Sequence, residues 1–368
     1  MKKQTTGSQK STGGMVDYNQ NSSAQKMMVA SKADRIRSLV EQLGIVEPEM
    51  RMVDFGCGPG MSAIETVRPA IDAYRSLSDD APIAVCHADQ PGNDWNALFG
   101  LATGANGYIH AHNGIRIEAA IGSFYDQMVP DNSVALATCF AACHWLSHAL
   151  RLDASETVWF ADLEGEARDK MAALARQDWA RFLHCRAREM RPGGFLVVST
   201  LGAVSDPSEC NGSAASGRGV YRALHVVTKS MSDEGLIDRD VADGFVFSLW
   251  FMTEEEARRP FETDPELASA FDIEDISVSR AGTNWSDVFA ALVDEPLKYA
   301  DAYTGYIRAF ADSTLHTHLF SPSAKHESDV DSMASEFYRR LNALYRTDGA
   351  KYAFELWQLS VVLKRTRS

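Results

Sequence analysis

A chain of 368 residues, 45% hydrophobic and 23% charged, has the make-up of an ordinary globular protein built as one large, elaborated domain. Its formal net charge of −14, with no long basic run, lacks the positive footprint that gripping phosphates requires, which excludes nucleic acid as a partner. No run approaches the ~20 apolar residues of a membrane span, and the six cysteines (Cys57, Cys86, Cys139, Cys143, Cys185, Cys210) contain no CxxC pair, so buried thiols in a cytoplasmic protein are expected, without a membrane or a metal centre.

Residues 1–15 are polar and rich in Gly, Ser and Thr, and read as a flexible N-terminal arm. Residues 22–44 place Met27, Met28, Ile36, Leu39, Val40 and Leu43 on one apolar face and predict a helix. Met50 to Phe55 predicts a strand that runs into Gly56-Cys57-Gly58-Pro59-Gly60. A helix over Ser62 to Tyr74 and a strand over Pro82 to Ala88, ending at Asp89, complete a βαβ unit. Further strands are expected at Gly114–Ala120, Val134–Cys139 and Phe195–Leu201, with a long helix from Leu163 to Met190 that stops at Pro192-Gly193-Gly194. From Ala203 to Tyr306 the pattern loosens into polar loops and helices with scattered aromatics. Residues 330–348 predict a helix, and residues 352–364 a last strand returning to the sheet. The fold class is α/β, a Rossmann-like sheet with an α-helical cap. The expected divisions are the arm (1–15), a core (16–202), a cap lining the substrate pocket (203–310), and C-terminal helices with the returning strand (311–368).

Glycines two apart at the end of a strand let backbone amides approach a ligand closely. That geometry serves a nicotinamide dinucleotide or S-adenosylmethionine (SAM). Asp54 directly before Phe55-Gly56, and GxGxG rather than GxGxxG, favour SAM. Asp89 can accept both ribose hydroxyls or cap a helix. Ser123-Phe124, after the next apolar run, can set a hydroxyl and a ring beside an adenine.

Several strings in order carry a resemblance: Tyr18-x-x-Asn21-Ser22-x-x-Gln25, Asp54-x-Gly56-Cys57, Asp89-x-Pro91-Gly92-Asn93-Asp94-Trp95-Asn96-x-Leu98-Phe99, Gly122-Ser123-Phe124-Tyr125, His144-Trp145-Leu146-Ser147, Phe182-Leu183-x-Cys185-Arg186-Ala187-x-Glu189 and Glu234-Gly235-Leu236-Ile237. Together they resemble the SABATH family of plant-type carboxyl methyltransferases, which also holds the caffeine-pathway N-methyltransferases. The resemblance implies a SAM-dependent enzyme and commonly a homodimer. By position it assigns Tyr18, Ser22, Asp54, Gly56, Gly58, Asp89, Gln90, Ser123 and Phe124 to the cofactor. Gln25 and Trp145 fall on the pair that holds a substrate carboxylate, and Lys10, His144, Tyr221, Trp250, Ile307 and Phe310 on the substrate side. Some members hold a divalent ion beside the pocket; Asp162, Asp243 and Phe245 fall near those positions, but Val246 replaces an amide, and a bound Mg2+ is not expected to be catalytic. The chain departs from the pattern in its Gly58-Pro59-Gly60 loop and at Ala141, where a tyrosine is usual.

A carboxylate, with an ordinary pKa near ~4, is ionised at neutral pH and needs no general base. Two neutral donors, the Gln25 amide and the Trp145 indole, suit it: they orient one oxygen without quenching its nucleophilicity. Taken alone, Trp145 reads rather as a core tryptophan, and Gln25 still more as a solvated helix position. The expectation is methyl-ester formation on a small, largely apolar acid. The alternatives are N-methylation of a purine-like heterocycle, a dinucleotide-dependent oxidoreductase, and a silent binding protein on the same fold.

Overall fold

The computed structural model describes residues 23–152, 156–206, 208 and 213–367. The strands are β1 (Met50–Phe55), β2 (Ile83–Asp89), β3 (Ile115–Ile121), β4 (Val134–Phe140), β5 (Met190–Leu201), β6 (Ala203–Ser205), β7 (Ser213–Ala215), β8 (Phe271–Arg280) and β9 (Trp357–Arg365). The main helices are α1 (Ser23–Ala30), α2 (Ala33–Leu43), α3 (Met61–Leu77), α4 (Trp95–Thr103), α5 (Gly165–Glu189), α6 (Arg218–Asp233), α7 (Glu254–Thr263), α8 (Pro296–Leu315) and α9 (Glu327–Asp348).

Seven strands form one sheet in the order β3-β2-β1-β4-β5-β9-β8. The first five are parallel, β9 adds antiparallel to β5, and β8 adds antiparallel to β9. The sheet is covered on both faces, as parallel strands require. Along β1 the side chains alternate: Met50 and Met52 pack with Ile36, Leu39, Ile64 and Ile71 on the α2–α3 face, while Val53 and Phe55 pack with Trp179, Phe182 and Leu183 of α5 on the other. The chain walks from β1 to the β3 edge and then returns to lay β4 on the far side of β1. That reversal opens a crevice beyond the carboxyl ends of β1 and β4, where open α/β sheets hold ligands.

Three expectations need adjusting. The single helix over 22–44 is two, α1 and α2, because the Ser31 hydroxyl turns back onto the Met28 carbonyl at 2.7 Å and offers the backbone a local alternative to helix. The segment 203–310 is not all cap: β8 lies inside it and forms the edge of the core sheet. Its alternation is masked by Asp272, Glu274 and Asp275, the charges that keep an edge strand from pairing with strangers. The strand expected from Phe195 begins earlier, at Met190. Helix α5 stops at Glu189, and β5 takes Pro192-Gly193-Gly194 into the strand beside a register shift on β4.

Above the crevice, α6, α8 and α9 pack on one another through a mostly aromatic interior. Trp159 stacks on Tyr221 with ring centres 4.1 Å apart, and Tyr303 on Tyr345 at 4.4 Å. Five cysteines, Cys57, Cys86, Cys139, Cys143 and Cys185, are free thiols; Cys210 is outside the described residues. No helix among the described residues is long and apolar enough to cross a membrane.

Candidate active site

A cavity of about 720 Å³ opens at the reversal point, between the ends of β1 and β4 and the helices above them. Gly56 continues β1 into its floor with φ of +70°, and Gly58 follows at +64°. A Cβ on Gly56 would sit 2.3 Å from the Cβ of Ala142, so no side chain fits. Gly58 donates its amide to Asp89 Oδ2 and Gln90 donates its own to Oδ1, each at 2.7 Å. The carboxyl closing β2 is thereby fixed at the lip of the glycine turn, with lone pairs left for further donors. Burial pushes its pKa up, and these two amide bonds pull it back.

Ser123 and Phe124 line the same end, and their loop is held from beneath. Arg186 and Glu189, both fully buried, pair at 2.6 Å. The guanidinium donates to the carbonyls of Phe124 (2.9 Å) and Asp126 (3.1 Å), and Glu189 accepts from the amides of Met128 and Val129. The same guanidinium lies 3.7 Å above the ring of Phe55, the last residue of β1. One ion pair thus ties the glycine turn to the loop after β3.

Gln25 and Met28, one turn apart on α1, also line the cavity. Gln358 of β9 anchors that helix: its Nε2 donates to the Met28 carbonyl at 3.3 Å and to Ser199 Oγ at 2.7 Å. After β4 the chain turns through Ala141 at φ of +51°, a left-handed conformation that costs a non-glycine residue about 1–3 kcal/mol. The turn delivers His144 and Trp145 to the cavity, and Tyr125 secures it by donating its hydroxyl to the Trp145 carbonyl at 2.6 Å. His144 is buried, bonded through Nδ1 to Thr200 Oγ1 at 2.7 Å, and pushed down to about 3 by burial. It is neutral at physiological pH and has no poise as a base.

Tyr221 and Phe310 also reach the cavity wall. Trp250 and Ile307, expected there, do not. The bridge between Trp145 and Leu249 turns Leu249's neighbour away, so Trp250 packs on Phe160 and donates its indole N–H to Glu256 at 3.1 Å, facing a second cavity of about 350 Å³. The cavity-facing stripe of α8 runs through Tyr306, Phe310, Ser313 and Thr314 and continues to Thr317 in the turn that follows, which leaves Ile307 fully buried on another face. Asp54 does not line the cavity either. It lies beneath the glycine turn, accepting from Thr138 Oγ1 at 2.7 Å, 3.9 Å from His87 Nδ1, and burial pushes it up to about 7. Lys10, Tyr18 and Ser22 lie outside the described residues. Sequence reasoning missed Met28, Tyr306, Phe354 and the rim residues His148, Arg151, Thr317 and His318. The α8 stripe carries a legible helical period; the rim carries none. No group of three or more His, Cys, Asp or Glu side chains that could hold a metal occurs among the described residues, and Asp162 is engaged by Arg222 at 2.8 Å.

The chain resembles known proteins in sequence and in fold. The chain is similar to gibberellic acid methyltransferase 2 of Arabidopsis thaliana (26% identity over 265 residues, 66% of this chain and 67% of that protein). It is also similar to indole-3-acetate O-methyltransferase 1 of Oryza sativa subsp. japonica (26% over 299 residues, 72% and 70%) and to the 3,7-dimethylxanthine N-methyltransferase CkTbS of Camellia sinensis var. assamica (24% over 306 residues, 76% and 81%). Its fold matches that of loganic acid methyltransferase solved with SAH, with a TM-score of 0.73 at 20% identity over 96% of this chain and 98% of that one. Residues 5–366 match the family model for SAM dependent carboxyl methyltransferases, and the chain belongs to that family, the SABATH enzymes that transfer the methyl group of SAM.

Proposed function

We propose that this enzyme forms the methyl ester of a small carboxylic acid with a largely apolar body. The observation that carries the reading is that a single cavity is lined both by the glycine turn with Asp89 and by Gln25 and Trp145. Gly56 and Gly58 admit the cofactor's backbone-facing edge, Asp89 is set to accept its ribose hydroxyls, and Gln90, Ser123 and Phe124 flank the adenine side. Gln25 and Trp145 orient one substrate oxygen, while Tyr221 and Phe310 enclose the acid's body. SAM supplies an activated methyl group: the carboxylate oxygen bonds to its carbon as the carbon–sulfur bond breaks, the electron pair stays on sulfur, and a methyl ester and S-adenosylhomocysteine result. No proton moves, which fits a cavity whose one deep imidazole, His144, is neutral and bonded to Thr200. Positioning of the two reactants supplies the rate, a route worth up to roughly 7–11 kcal/mol. A homodimer and a cytoplasmic location complete the reading.

Transfer to a heterocycle nitrogen is the rival, since the family includes both reactions. Incubation with methyl-labelled SAM, aromatic and isoprenoid acids and xanthines separates them. Label in alkali-labile esters supports the proposal; label retained on xanthine nitrogen after alkali contradicts it.

A further inference from the structure

The cavity's charge is distributed unevenly. Among its described lining residues the sole carboxylate is Asp89, at the cofactor end, and the sole Lys or Arg is Arg151, at the rim. In a chain of net charge −14, that cation is the one local attraction the lining offers an anion. Its placement is constrained. Residues 145–151 and 245–249 frame the substrate end as an antiparallel pair, bridged at Trp145–Leu249 and at Arg151–Phe245. Trp145 and Arg151 therefore stand at opposite ends of a frame that spans at most about 13 Å of backbone. The arginine is also held. Its stem lies across Gly244, where an added Cβ would meet Nε at 3.0 Å and Cγ at 3.3 Å. Its Nη2 donates to the Asp240 carbonyl at 2.8 Å. One of five donors is thus spent on fixing the fork, and among the described residues no carboxylate pairs with it and no other acceptor takes its remaining donors.

We propose that Arg151 is a specificity residue that binds a second anionic group on the substrate, so that the acid is bifunctional: one carboxylate at Gln25 and Trp145 is methylated, and the other, across an apolar body, docks on Arg151. This rests on the carboxyl reading above. The product is a monoester, because the docked carboxylate lies away from the methyl donor.

The test is a chain-length series of straight α,ω-dicarboxylates, succinate to dodecanedioate, each against the monocarboxylate of equal length, with the wild type, Arg151→Gln and Arg151→Lys. A charge-assisted pair should favour one window of diacids by about tenfold or more in kcat/KM. Arg151→Gln should erase that preference while leaving monoacid turnover and SAM affinity in place, and Arg151→Lys should restore part of it. Equal use of monoacids and diacids by the wild type, or a preference that survives Arg151→Gln, overturns the proposal while the carboxyl reading stands. Absence of ester from every acid, with SAM still bound, overturns both.

Discussion

The two ends of the cavity are built by different means. The cofactor end is made of backbone: left-handed glycines, amides aimed at Asp89, and a loop stapled by Arg186 and Glu189. The substrate end is made of side-chain shape, with aromatic rings from α6 and α8 and a frame of two irregular segments. Backbone geometry admits few residue types, so a constant ligand leaves a constant string in the sequence. Shape can be met by many residues, and a ligand that varies leaves no such string.

The largest effect expected from breaking this contrast is at Arg186. Arg186→Met leaves Glu189 buried and unpaired and releases the loop carrying Ser123 and Phe124. A loss of about 3–5 kcal/mol is expected, read by urea unfolding, with SAM affinity falling alongside. A stability change below the surface-residue range of about 0.5 kcal/mol would remove the staple from the account.

Below it comes the carboxyl under the glycine turn. Burial raises Asp54 from 3.8 to about 7, so the folded protein keeps a proton that the unfolded chain has released. Its contribution to stability is therefore greatest at low pH and falls as pH rises from about 4 to about 7. His87, lowered from 6.5 to about 4, acts in the opposite sense over much of that range, so the raw pH curve hides the effect. The difference between wild type and Asp54→Asn isolates it. That difference should shrink steadily as pH rises; a flat one contradicts the buried-acid assignment.

These residues also mark what was legible in the sequence. The strand–turn–strand around Gly56 and the closing Asp89 were readable because strand period, glycine spacing and terminal acid are local. Asp54, expected at the cofactor, does not line the cavity: its carboxyl is buried and accepts from Thr138 on the neighbouring strand. Trp250 and Ile307 were misplaced because a one-residue step on an extended segment, or on a helix, points a side chain to another face, and spacing along the chain does not fix that phase without the bridge at Leu249. Strand β8 was missed because an edge strand hides its apolar period under charge. Arg151 was invisible, since nothing local tells a rim arginine from any other.

The smallest effect sharpens the contrast from the substrate side. Trp250→Phe removes the bond to Glu256 and should cost about 1 kcal/mol of stability with substrate KM unchanged, measured by thermal unfolding and initial rates. A raised KM would return Trp250 to the pocket wall.

The division of labour is tested most directly by calorimetric titration of SAM into Asp89→Ala and Trp145→Ala side by side, with methyl transfer followed in the same preparations. The account predicts that Asp89→Ala loses SAM binding, while Trp145→Ala binds SAM as the wild type does and loses turnover by about a hundredfold, the scale of one lost donor at a reacting oxygen. SAM affinity that survives at Asp89→Ala, or collapses at Trp145→Ala, would contradict it.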